Sequence, residues 1–211
     1  MDSDLETLVR LLVEGDVKAC VAEVRKPQAV ECDRQRRVVD ALQIAMQRME
    51  AKCTPQQFNL LEIMLTGRAV MAGAREGFPE GTPAQSLGTV VIGTPQGDVH
   101  DIGKNVTKMV LIAKGYRVVD CGKDCPVETM VDAAAREGAF AVLVSGLITA
   151  VIPHVRRLRD LIQARGLQGV KVLAGGAALK QSSPEALDVD MVAQDAFDAA
   201  RLLDALCAGR T

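Results

Sequence analysis

The sequence predicts a four-helix bundle followed by an α/β domain built on a five-stranded parallel sheet. Three observations carry that prediction. Residues 1–73 place apolar residues at helical spacing and show no run at strand spacing. Residues 74–88, "AREGFPEGTPAQSLG", are rich in Gly, Pro and Ser-type residues without periodicity and read as a linker. From residue 89 to 211, short apolar runs alternate with amphipathic stretches five times, as in β/α units. The expected domains are therefore 1–73 and 89–211, joined by 74–88.

Each element has its own local reason. "SDLETLVRLLVEGD" opens with Ser3 and Glu6 at capping-box spacing and sets Leu5, Leu8, Val9 and Leu12 on one face. Gly15 ends it, and Asp16 can cap a short second helix that stops before Pro27. A third helix runs from about Arg34 to Lys52 with a stripe of Val38, Leu42, Ala45, Met46 and Met49. Thr54 then stands as an N-cap, with Pro55 at the first helical position and Gln57 as capping-box partner. The fourth helix continues through "FNLLEIMLTGRAVMAG". Met46, Met49, Met64 and Met71 read as core filling, with a surface that covers a ligand as the alternative. In the second half the expected strands are 89–94, 117–122, 140–146, 170–176 and 191–193. Helices follow from about Ile102 to Lys114, from Pro126 at a first helical position, over "PHVRRLRDLIQARG" and over "DAFDAARLLDALC".

Composition narrows the function. The formal net charge is −2, Trp is absent and aromatic residues make up 2%, which argues against nucleic-acid binding by charge or base stacking. The longest apolar run, "FAVLVSGLITAVI", is too short and glycine-broken to span a bilayer, and "MDSDLETLVR" lacks a signal-peptide layout, so a cytoplasmic protein is expected. Six cysteines without a secretory signal are expected to be reduced thiols. Cys121 and Cys125 in "CGKDC" form the only close pair; a metal or redox site and plain small buried side chains are its two readings, and the second is preferred.

Five β/α units suggest the flavodoxin-like (Rossmann-type) strand order 2-1-3-4-5. A ligand then sits beyond the carboxyl ends of strands 1 and 3, where the order reverses. Three loops line that crevice: "TPQGDVHDIGKN", "SGLITAV" and "GGAAL". In the first, Asp98 stands two residues before His100 and can bond one ring nitrogen, leaving the other as a metal ligand or base. A turn carrying an incidental histidine is the plain alternative. One histidine cannot make a zinc site, but a macrocycle that brings four metal ligands of its own needs only one axial donor. Ser145 offers a hydroxyl at the crevice mouth or merely ends a strand; Gly175 and Gly176 leave room for a flat group or form an ordinary turn.

Taken together, Asp98-x-His100-x-x-Gly103, Ser145-x-Leu147 and Gly175-Gly176 resemble the signature of cobalamin-binding proteins of the corrinoid methyl-carrier type, similar to the B12 module of cobalamin-dependent methionine synthase. The gaps of 41 residues (104–144) and 27 residues (148–174) fit that family, and the resemblance covers about residues 88 to 206. It implies cofactor contacts from Asp98, His100, Asp101, Ile102, Gly103, Ser145, Leu147, Thr149, Gly175 and Gly176, with His100 as the cobalt ligand. The corrinoid's tail would leave cobalt and thread into the sheet domain, where Ser145 bonds it. Asp98 would orient His100. The helical bundle would be the cap over the methyl face, although the acidic and aromatic run usual before the last helix is absent. One further departure is Val151, where the family commonly has a hydroxyl residue extending the Asp–His relay.

The resemblance further implies cobalamin in its methylcobalamin form and two partners. A substrate-specific methyltransferase would load the methyl group, and a second methyltransferase would pass it to a thiol or tetrahydrofolate. A reductive activation protein is a possible third partner. With 211 residues used up by cap, linker and sheet, the chain is expected to be a component of such a system, not a complete catalyst. A radical-mutase subunit, a B12-dependent sensor and a sheet domain that binds no corrinoid are the alternatives.

Overall fold

A computed structural model of the chain describes residues 3–27, 31–52, 60–77 and 87–209. They divide into two compact units, one built on the N-terminal helices and one on a sheet. The helical unit contains α1 (Ser3–Glu14), α2 (Val17–Val24), α3 (Glu31–Lys52) and α4 (Leu60–Gly77). The expected stripes form its core: Leu8, Val9 and Leu12 of α1 meet the buried Val38, Leu42, Ala45, Met46 and Met49 of α3. Asp16 caps α2 as expected, its side chain accepting from the Ala19 amide.

Three local expectations change. Ser3 lies inside α1, and Glu6 is drawn away from a capping box by Arg48, whose guanidinium bonds both carboxylate oxygens at 2.8 and 3.0 Å. Met64 is 44% exposed on α4, beside Leu61 and Leu65, because Ile63, Thr66 and Val70 occupy the face turned into the bundle. The fourth helix continues through "AREG" to Gly77, four residues into the segment expected as linker. The cap expected at Thr54, Pro55 and Gln57 lies outside the described residues.

From residue 87 the chain runs β1 (Thr89–Gly93), α5 (Ile102–Lys114), β2 (Arg117–Asp120), α6 (Val127–Glu137), β3 (Ala141–Ser145), α7 (Ile152–Ala164), β4 (Lys171–Gly175), α8 (Pro184–Leu187), β5 (Met191–Val192) and α9 (Ala196–Ala208). All pairs are parallel in the order 2-1-3-4-5. Val91, Val142, Val144, Val172 and Ala174 pack on the buried faces of α6 and α7, including Met130, Val131, Val155 and Leu158. Alternation sends Val90, Ile92, Leu143 and Leu173 to the opposite face, also buried. Strands buried on both faces explain why the sequence shows continuous apolar runs and no alternation. Pro126 is the N-cap of α6 (φ −55°, ψ 133°), one position earlier than expected.

This register fixes where the chemistry-bearing loops go. Ser145 lies opposite Gly175 at the carboxyl ends of β3 and β4. Strand β1 lies between β2 and β3, so the reversal of strand order falls where the "GDVHDIGKN" loop leaves the sheet.

Candidate functional site

The site is built on Asp98. Its carboxylate is fully buried, and every oxygen has donors. Oδ1 accepts from the His100 ring at Nδ1 (2.7 Å) and from the His100 amide (3.0 Å). Oδ2 accepts from the Leu147 amide at 2.7 Å, and the neighbouring Ile148 amide adds to the stabilisation of the carboxylate's charge. Burial alone would raise this carboxyl's pKa, but the amides of His100 and Leu147, the His100 ring and the Ile148 amide together hold it below the ordinary aspartate value. An ionised Asp98 on Nδ1 fixes the ring so that Nδ1 carries the proton and Nε2 the lone pair. The His100 side chain is 53% exposed, which leaves that lone pair available to a ligand.

The expectation of a relay with no third member needs a correction in kind. Val151 is fully buried and supplies no hydroxyl, yet Asp98 is not held by His100 alone. The main chain of Leu147 and Ile148 takes the third place.

The remaining expected residues assemble around this pair to different degrees. Asp101 precedes α5 and its carbonyl accepts from Asn105 N; its carboxylate lies 3.8 Å from Lys123 Nζ. Gly103 opens the first turn of α5, where an added Cβ would meet only Ser145 Oγ, at 3.7 Å. Ile102 and Leu147 are 49% and 46% exposed. Thr149 is exposed in a single 3-10 turn, 149–151. Gly175 ends β4, and Gly176 turns at φ +96° so tightly that an added Cβ would lie 2.5 Å from the Gly146 carbonyl oxygen. Gly146 N donates to Gly175 O (2.9 Å), tying the second and third loops together.

Two features escaped the sequence reading. Val99, 59% exposed, joins Ile102 and Leu147, so that three of the seven exposed large hydrophobics among the described residues flank His100 or bond Asp98. Behind the loop, Lys104 is buried, and its ammonium bonds both Asp120 oxygens (2.7 and 2.8 Å) and Asn105 Oδ1 (3.0 Å). Asp120 also accepts from Lys108 and from Gly122 N. Asp120→Ala strands that ammonium and is expected to lower stability by about 3 kcal/mol, as urea unfolding would show. Among the described residues no group of three or more His, Cys, Asp or Glu could hold a bare metal ion. Burial pushes the Cys121 thiol up to about 11 and raises Cys125 as well, so both stay protonated near neutral pH.

A single exposed imidazole, fixed from behind by a buried carboxylate and with exposed apolar residues at 99 and 102 in the same loop, suits a large flat ligand that carries its own metal. Comparison with known proteins agrees. The B12 binding domain profile matches residues 88–203. The chain belongs to the B12-binding domain family. A dimethylamine corrinoid protein of Methanosarcina acetivorans is 34% identical over 144 residues, covering 66% of this chain and 68% of that one. A corrinoid protein of Desulfitobacterium hafniense is 31% identical over 211 residues, covering 94% of each chain, helical half included. The crystal structure of the methanol:cobalamin methyltransferase complex from Methanosarcina barkeri superposes with a TM-score of 0.84 at 25% identity, covering 99% of this chain and 81% of that one. The residues present fit the corrinoid this family binds: an exposed imidazole on His100 with Nε2 free of the Asp98 bond, a hydroxyl on Ser145, and a glycine at 103 whose missing Cβ would otherwise touch that hydroxyl. No helix among the described residues is long and apolar enough to cross a membrane.

Proposed function

We propose that this chain carries a methyl group on a bound corrinoid, taking it from a substrate-specific methyltransferase and presenting it to a second methyltransferase that acts on a thiol or tetrahydrofolate. When bound, the corrinoid supplies a cobalt centre that accepts and releases the methyl group, with methylcobalamin as its loaded form. The observation that carries the reading is the 2.7 Å contact of buried Asp98 with His100 Nδ1, which leaves Nε2 as the axial donor. His100 would hold the cobalt, and Asp98 would keep the ring in the binding tautomer. Ser145, Gly103, Gly175 and Gly176 would line the slot for the cofactor's tail, with Asp101, Ile102, Leu147 and Thr149 at its rim. Similarity to dimethylamine and methanol corrinoid proteins supports small methylated amines or alcohols as the donor class. Similarity across the helical half as well favours a carrier over a mutase subunit or a sensor. A reductive activation protein would restore carriers lost to oxidation, and such a carrier would work in the cytoplasm.

Adding cobalamin to the apo-protein is expected to give the visible spectrum of a histidine-ligated corrinoid whose own base is displaced. His100→Ala is expected to abolish that spectrum, and an unchanged spectrum in this variant overturns the assignment. Incubating methylcobalamin-loaded protein with acceptor enzymes of the thiol and of the folate type then tells which one takes the methyl group.

A further inference from the structure

In the "CGKDC" segment the hydrogen bonds to the backbone that bears Asp98 come from the aspartate between the thiols, beside the longer Lys123–Asp101 ion pair. Beyond the strand ends, residues 94–98 and 122–125 continue the pairing of β1 and β2. Thr94 N donates to Gly122 O (3.0 Å), Cys125 N to Thr94 O (3.0 Å) and Gln96 N to Cys125 O (2.9 Å), with Pro95 and Cys125 forming an isolated parallel bridge. The next two bonds both belong to Asp124. Its amide donates to the Asp98 carbonyl at 2.9 Å, and its Oδ1 accepts from the Gly97 amide at 2.8 Å.

Asp124 adopts φ +50°, a left-handed conformation that Asp tolerates better than most side chains but still at a conformational cost. Residues kept in such a region are held there by their surroundings, and here the two bonds reach one loop. That loop needs them. Gly97 turns at φ +90°, and nothing lies within 4 Å of where its Cβ would be. The Asp98 side chain is fixed from one side by Leu147 and Ile148. The backbone that bears it is fixed from the other side by Asp124.

We infer that Asp124 is a positioning residue for His100: by gripping Gly97 and Asp98 it sets the loop from which the imidazole reaches the cobalt. The inference rests on His100 as the cobalt ligand, so its test includes one readout without cofactor. Asp124→Gly keeps the left-handed backbone and removes only the carboxylate; Asp124→Asn keeps an acceptor for Gly97.

In the apo-protein, amide hydrogen exchange at Gly97 and His100 is expected to speed up in Asp124→Gly while Val91 and Val142 in the core stay protected. In the cobalamin-bound protein, the histidine-ligated fraction seen in the visible spectrum is expected to fall by an equilibrium factor of about 10, in the range typical of lost outer contacts. Asp124→Asn is expected to restore both readouts. A wild-type spectrum in Asp124→Gly overturns the inference, and so does failure of Asp124→Asn to restore, since charge and not the bond to Gly97 would then matter. Loss of core protection or of folding in Asp124→Gly overturns it as well, because the carboxylate would then support the domain and not the loop. If the wild-type protein itself shows no histidine-ligated spectrum, the cobalt-ligand reading fails, and the exchange data still decide whether Asp124 holds the loop.

Discussion

Asp98→Asn is expected to shift bound cobalamin out of the histidine-ligated state by a factor of about 10–100 while the fold persists. The reason is a mismatch of donors. Asp98 accepts on Oδ1 from the His100 ring and amide, and on Oδ2 from the Leu147 amide. An asparagine has one oxygen and one NH2 group for these three donors. With its oxygen toward Leu147, the NH2 group meets Nδ1, which must then offer its lone pair; the proton moves to Nε2 and blocks the nitrogen that would bind the metal. With its oxygen toward His100, the NH2 group opposes the Leu147 amide and leaves a buried donor unmade, at about 1–3 kcal/mol. Spectral titration with cobalamin at neutral pH measures the shift, and a fully histidine-ligated spectrum in Asp98→Asn refutes this account. The pH dependence follows from the same bonds. Because the folded carboxyl titrates below its unfolded value, its contribution to stability is complete above about pH 4 and is lost as pH falls through the folded value. Acid unfolding curves of wild type and Asp98→Asn should therefore differ in slope only in that acidic range.

Gly176→Ala is expected to destabilise the sheet unit by about 2–4 kcal/mol, because a methyl group there meets main chain and the position has positive φ. The added Cβ would stand 2.5 Å from the Gly146 oxygen and 2.9 Å from the Gly146 nitrogen. Neither atom can rotate away, so the ends of β3 and β4 must part. The bonds Gly146 N to Gly175 O and Ala178 N to Gly146 O would lengthen with them. Gly97→Ala is the informative control. It shares the positive φ but meets nothing within 4 Å, so its cost is conformational alone, about 1 kcal/mol. Urea unfolding of the two variants separates close approach from backbone preference; equal losses would show that the Gly146 contact relaxes.

The sheet order and the meeting of three loops at its reversal followed from counting β/α units, because a parallel sheet with short connections admits few arrangements. The Asp98–His100 contact was also visible in the sequence, since the two residues are neighbours and either reading of the turn brings them close. What supports them was not. Leu147 lies 49 residues from Asp98 in sequence, and the group it uses is an amide that every residue but proline possesses. Nothing in the side-chain pattern marks which amide will be recruited. Val151 carries no hydroxyl, and the place a third side chain would take is filled from the main chain. In "CGKDC" the cysteines drew the eye, while Asp124 supplies the contacts. Lys104 carries no mark of its role in the local sequence, because its partner Asp120 comes from β2, 16 residues on. On α4 the helical period predicted the element, yet not that Met64 would face outward with Leu61 and Leu65.

The amides of Leu147 and Ile148 have one more effect. A hydroxyl in their place could hand a proton inward and receive another from water beyond it, whereas a peptide N–H has none to release at neutral pH. The wire that begins at His100 is therefore closed at its inner end. Every proton gained or lost by the Asp98–His100 pair must cross the imidazole from the solvent side, through the same ring that would bind the metal. Proton traffic and ligation then compete for one face, and the rate at which the histidine lets go should follow the concentration of small buffer acids in the medium.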